Sequence, residues 1–167
     1  DSGPILLQRE VAIGPTETAP ELTMRLADIG AELLGETLDK LDTITPRPQI
    51  DRDPTFAPIL EKDAGLIDWS NSAFVIERCV RGLQPWPNAF TYYGTNRLII
   101  WKALPIVVEH SAALAGYVLE SQGDQFLVAC GEQTALSILE LQPEARRRMG
   151  AREFLNGTQL RVGDILG

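Results

Sequence analysis

Arg81-Gly82-Leu83-Gln84-Pro85-Trp86-Pro87 is the stretch on which the fold turns: a helical pattern stops there and a run of strand patterns begins. Gln84 and Trp86 each precede a proline, which biases both toward extended backbone. Pro85 and Pro87 fix their own φ angles and carry no N–H. Trp86 therefore rides on a stiff segment with little backbone entropy left to lose. Two roles fit it. The expected one is a hinge whose tryptophan plugs the end of a core, as bulky aromatics commonly do. The other is a preset aromatic that, with Arg81, edges a binding surface.

Immediately upstream, Ala73, Ile76, Val80 and Leu83 fall on one helical face. A helix of about three turns is predicted there, with Ser70 as N-cap and Gly82 as its end. Downstream the period changes to two. Ala89–Tyr93 and Arg97–Leu104 flank Gly94-Thr95-Asn96, a hairpin signal, and Gly116–Glu120, Gln125–Cys130 and Thr134–Leu141 follow between short polar turns. Five short strands at close spacing suggest a small barrel. A short helix over 150–155 and a last strand over Gln159–Val162 complete this part.

The beginning of the chain reads differently. Ile5–Ile13 has the pattern of a strand, buried at its start and nearer an edge at its end. Thr18-Ala19-Pro20-Glu21 is a capping box, with Pro20 in the first turn where N–H groups lack helical partners. Leu22, Leu26, Ile29, Leu33, Leu34, Leu38 and Leu41 then recur at helical spacing, so a helix is predicted to about Leu41. A strand and a helix alone cannot bury both their faces, so this part is read as the tail of an α/β domain. The chain opens on Asp1 rather than Met, which also suggests a piece of a longer protein. Pro46, Pro48, Pro54 and Pro58 mark a linker. The expected organisation is thus a remnant over 1–42, a linker over 43–61 and a second domain over 62–167.

Charge follows the same division. The formal net charge of −8 over 167 residues is uneven, with 5 basic against 12 acidic side chains in 1–61 and 10 against 11 in 62–167. The acidic total argues against nonspecific nucleic-acid binding by the whole chain, yet Arg146, Arg147, Arg148 and Arg152 form a local basic patch. Such a run is either a solvated loop or a phosphate contact, since arginine forks match phosphate oxygens. No stretch is long enough to span a membrane and no signal peptide is visible. Cys79 and Cys130 lie far apart among apolar neighbours and are expected as buried thiols of a cytosolic protein. With His110 they make no credible zinc set. No phosphate-binding loop, dinucleotide fingerprint or HExxH occurs, and a single histidine leaves the usual nucleophile–base pairs unassembled. Asp1, taken alone, is an ordinary turn residue beside Gly3-Pro4.

Several collinear segments resemble one family: Asp1-Ser2-Gly3-Pro4-Ile5-Leu6, Ala31-Glu32-Leu33-Leu34, Ile67-Asp68-Trp69-Ser70, the Arg81 to Pro87 stretch, Leu139-Glu140-Leu141-Gln142-Pro143-Glu144, and Met149 to Gly157. Together they cover essentially the whole length and are similar to the C-terminal part of methionyl-tRNA formyltransferases. The resemblance implies an α+β chain: a strand–helix remnant of a Rossmann-like catalytic domain, a Pro-rich linker, and an OB-like barrel with a leading helix that helps hold tRNA. It implies transfer of a formyl group from 10-formyltetrahydrofolate to the amino group of methionyl-initiator tRNA, with no metal. Asp1 matches the family's catalytic Asp; the accompanying Asn and His would lie upstream, so this piece alone is expected to be inactive. Ser2 stands where the family usually has Thr, Ala or Gly. The resemblance also raises the case for tRNA contact by Arg146, Arg147, Arg148 and Arg152, and less so by Arg81 and Trp86. A cytoplasmic monomer partnered by initiator tRNA and the missing catalytic domain is expected. The alternatives are a folate-dependent formyltransferase or hydrolase with another acceptor, and a stand-alone RNA-binding barrel.

Overall fold

A computed structural model describes residues 3–50, 55–108 and 113–167. The chain divides into two units, Asp1–Ile59 and Leu60–Gly167.

In the first unit, helix α1 spans Ala19–Asp39. Its start follows from Thr18 and Glu21: the Glu21 carboxylate accepts from both the Thr18 N–H and hydroxyl at 2.8 Å. The strand expected over Ile5–Ile13 does not form. A strand needs a neighbour to take its N–H and C=O groups, and here only Ile5 finds one, exchanging both backbone bonds with Arg47 at 2.8 and 2.9 Å. Arg47 thus ties the start of the expected linker back onto the first segment. The rest of that segment is held to α1 by polar contacts. Arg9 pairs with Glu32 at 2.9 Å, and Arg25 grips Glu17 with two nitrogens and the Ala12 carbonyl with one. With the Gly14 N–H as second donor, Arg25 holds the Glu17 carboxyl down at about 2. No described residue of 3–50 is buried. Met24, Leu34 and Leu38 on α1 are 72%, 60% and 62% exposed, so the helix has its apolar stripe without a core to put it in.

The second unit is an α+β arrangement around one antiparallel sheet. Helix α2 is Ala73–Gly82; strands β1 to β6 are Ala89–Tyr93, Asn96–Val107, Val118–Gln122, Gln125–Cys130, Thr134–Pro143 and Met149–Gly150; helix α3 is Ala151–Gly157. The order across the sheet is β1-β2-β5-β4-β3, with β6 on β5. Strands β2 and β5 run longer than their patterns suggest because they pair along Leu98–Val107 and Thr134–Pro143. Alternation then does its ordinary work: Leu98, Ile100, Phe126, Val128, Leu136, Ile138 and Leu141 are at most 2% exposed. Ala73, Ile76 and Val80 of α2 face this core, and Phe154 of α3 stacks on Phe126 at 5.8 Å between centroids.

The N-cap of α2 is Ser72 rather than Ser70. Ser70 is taken up by Asp68, whose carboxylate accepts from its N–H and hydroxyl. The first helical N–H, at Ala73, instead reaches the buried Thr134 hydroxyl at 2.8 Å. Gly131 makes this junction possible: its N–H donates to the Trp69 and Asn71 carbonyls, and a Cβ there would sit 1.8 Å from the Ser70 oxygen.

The last strand expected over Gln159–Val162 is absent, and the following residues do the edge work. The Val118 N–H donates to Asp164, Gly163 and Leu166 donate to Val118 and Gly116, and Gly167 donates to Tyr92 on β1. The tail therefore bonds to both outer strands of the sheet. Gly116, at φ +87°, takes a backbone conformation that side chains avoid and lies close under the Leu166 carbonyl. Asp164 anchors the tail by accepting from the Tyr93 hydroxyl at 2.9 Å and the Arg161 N–H at 2.8 Å. A buried Leu166 covers the result.

Candidate nucleic-acid interface

Where α2 ends, the chain turns back on itself. Leu83 donates to Cys79, and the Asn88 N–H returns to the Leu83 carbonyl at 2.9 Å. The Asn88 side chain donates to Pro85 at 2.7 Å, and Asn88 itself takes φ 64°, a conformation asparagine tolerates. Both Gln84–Pro85 and Trp86–Pro87 are cis. Asn88 closes the turn with its backbone and side-chain amide, and Trp86 is left 55% exposed. The hinge-plug role expected for this tryptophan is therefore overturned. Ile76 and Val80 seal the core there, one turn earlier. Arg81 is drawn in the other direction, donating from Nε to Glu77 at 2.6 Å with only 18% of its side chain exposed.

The arginine loop follows β5. Ala145 takes φ 56°, and the Arg146 N–H closes a turn on the Pro143 carbonyl. Arg147 pairs with Glu153 on α3. Arg148 donates from Nε to Glu140 on β5 at 2.6 Å, and its guanidinium carbon lies 5.0 Å from the ring centre of Trp101. Arg152 forks onto Asp124, at the turn between β3 and β4, with bonds of 2.8 and 2.5 Å. All of these pairs are exposed: 73%, 47% and 66% of the Arg147, Arg148 and Arg152 side chains face solvent. Arg146 lines a shallow recess with Tyr93, Asn96, Glu144, Phe154 and Thr158.

Trp101 joins the two regions. Register passes from Ile100↔Leu141 to Lys102↔Glu140, so Trp101 is the extra residue of a β-bulge, which re-aims a side chain. Its carbonyl accepts from the Gln84 amide at 2.9 Å, and its indole N–H donates to Gln142 at 3.0 Å. Gln142 in turn donates to the Arg146 carbonyl at 2.9 Å. Gln84 and Gln142, far apart in sequence, are thus linked through one tryptophan with Arg148 against its ring. Sequence reasoning passed over Trp101 because the bulge breaks the alternation that would have assigned it a face.

Asp1 and His110 lie outside the described residues. Cys130 is buried, and burial pushes its thiol up to about 12, whereas Cys79, expected to be buried, is exposed on α2. Among the described residues no group of three or more His, Cys, Asp or Glu could hold a metal ion, and no helix is long and apolar enough to cross a membrane.

Residues 59–159 match the formyl transferase C-terminal domain family. Methionyl-tRNA formyltransferase of Caldanaerobacter subterraneus is 46% identical over 99% of this chain and 53% of its own length. That of Solibacter usitatus is 46% identical over 100% of this chain and 53% of its own length. The chain therefore spans about half the length of the curated relatives it matches. Among solved structures, a HypX variant from Aquifex aeolicus aligns with TM-score 0.62 at 16% identity, over 92% of this chain and 28% of that one, a likeness of fold alone. The chain belongs to the family of the formyl transferase C-terminal domain, and both of these relatives are methionyl-tRNA formyltransferases.

Proposed function

We propose that this chain is the C-terminal part of a methionyl-tRNA formyltransferase and supplies its grip on tRNA. The observation that carries the proposal is the Gln84–Trp101–Gln142–Arg146 chain. It unites two of the segments on which the resemblance rests, Arg81–Pro87 and Leu139–Glu144, and ends at the arginine loop. Exposed arginines and an exposed Trp86 suit the recognition of RNA, where guanidinium forks take phosphates and aromatic rings take unpaired bases. In this reading the second unit is an OB-like barrel, which the tail bonded to both outer strands supports.

The first unit is read as a remnant of the Rossmann-like catalytic domain, with residues 43–61 as linker. The exposed leucines of α1 support this, since an amphipathic helix gains stability mainly by burying its apolar face. The upstream catalytic domain is the proposed occupant of that face. Asp1 is assigned to the catalytic set with an upstream Asn and His. In the whole enzyme, a cytoplasmic monomer, 10-formyltetrahydrofolate is the co-substrate that supplies the formyl group. The methionyl amine must attack unprotonated, the tetrahedral oxygen needs a donor, and a proton must pass from amine to folate nitrogen. Asp1 would orient and tune the His that takes part in that proton transfer.

The test is formylation of methionyl-initiator tRNA by the full-length protein, run beside a parallel reaction with the 167-residue chain. Formylation by the first and none by the second is expected. Formylation of an amino sugar nucleotide in place of the charged tRNA would refute the assignment of acceptor.

A further inference from the structure

We infer that Asp124, Glu140 and Glu153 are built-in competitors for the arginine patch, occupying the positions of phosphates until a ligand carrying several of them displaces all three. The inference rests on the tRNA-binding reading above and goes beyond it by describing how the patch is kept closed to other anions. Three arginines of the patch each hold a different carboxylate, and the three acids come from different elements: the β3–β4 turn, β5 and α3. The geometry is that of a phosphate contact. Arg152 uses two nitrogens on two Asp124 oxygens, and Arg148 brings two nitrogens to one Glu140 oxygen. A phosphate entering either fork must evict the acid.

Eviction is cheap for one pair, because exposed ion pairs are weak, but each displaced carboxylate then stands beside the incoming anion. A single phosphate gains one arginine and meets that repulsion without compensation. A folded RNA presents several phosphates on one rigid body, so every contact after the first is intramolecular and favoured by effective concentration. Arg146 forms no ion pair among the described residues and is the open first contact.

The experiment uses the complete chain with Asp124→Asn, Glu140→Gln and Glu153→Gln combined. It is compared with wild type and with a control that removes equal charge elsewhere, Asp39→Asn, Glu61→Gln and Glu132→Gln. Circular dichroism checks that each variant keeps its fold. Binding of an initiator tRNA transcript and of inorganic phosphate is measured at low salt. The patch variant is expected to bind the transcript about tenfold more tightly than wild type, from about twofold per pair over three pairs, against about twofold for the control. Its salt dependence should steepen, and inorganic phosphate should bind the patch variant but not wild type. Wild type that binds RNA while the patch variant gains no more than the control overturns this inference alone. A patch variant that binds more weakly also overturns it, by showing that the acids hold the arginines in place for RNA. If neither wild type nor patch variant binds RNA, the tRNA-binding reading fails and this inference with it.

Discussion

Trp101 offers the sharpest test of the interior logic of the second unit, because one side chain joins the α2 turn to the arginine loop. Trp101→Ala would remove the indole bond to Gln142, worth about 1 kcal/mol net, and the Arg148–ring contact, worth about 0.5–1 kcal/mol at an exposed site. It would also remove the packing of a partly buried ring, so the fully buried Trp→Ala range of about 3–5 kcal/mol is an upper bound. A loss of about 2–3 kcal/mol is expected. With a urea slope near ~2 kcal/mol per M, the midpoint would fall by about 1 M or a little more, followed by far-UV circular dichroism. Trp101→Phe keeps a ring against Arg148 and loses the N–H, so it should cost about 1–1.5 kcal/mol. Because Trp101 and Gln142 share that bond, combining Trp101→Phe with Gln142→Leu should cost less than the sum of the single changes by about 1 kcal/mol. Additive losses, or a Trp101→Ala midpoint unmoved from wild type, would refute the claim that this residue is the joint.

Other outcomes follow from particular contacts. Gly131→Ala places a methyl 1.8 Å from the Ser70 oxygen and should cost about 3 kcal/mol in the same urea experiment, whereas Gly157→Ala meets nothing within 4 Å and should stay within about 0.5 kcal/mol. The Asp164 carboxyl is held below the ordinary carboxylate range first by the Arg161 N–H and then by the Tyr93 hydroxyl. A lowered folded value means its stabilising effect is complete above the unfolded pKa and is lost as pH falls through the folded one, so acid unfolding below about pH 4 should be shallower in Asp164→Asn. Trp86→Ala should leave the melting temperature nearly unchanged, since the ring is 55% exposed, while weakening binding of a tRNA transcript by about tenfold.

Much of the second unit was legible because its core is built by two simple periods. Ala73, Ile76 and Val80 share a helix face, and the strands from Ala89 to Leu141 were recognised within a few residues at their ends. Misreadings arose where a distant partner decided the outcome. Ile5–Ile13 has the composition of a strand, but only Arg47 comes to pair with it. Ser70 looks like an N-cap until Asp68 claims it, and the tail after Val162 has no strand pattern although it bonds both outer strands. The basic loop was visible as charge, yet nothing in the run Arg146–Arg148 foretells that Glu140, Glu153 and Asp124 would answer it, because those partners depend on register and topology. Trp86 was misjudged for a related reason: the hydrogen bonds of Asn88 close the turn and leave the ring outside.

The proposed grip on tRNA is tested most directly by titrating this chain with an initiator tRNA transcript across a range of salt concentrations, beside a variant carrying Arg146→Ala, Arg147→Ala and Arg148→Ala. Phosphate contacts release counterions, so the variant should bind at least about tenfold more weakly at low salt, and the slope of log affinity against log salt should flatten by up to about 3. Equal affinities and equal slopes for the two proteins would contradict a phosphate-binding role for the loop.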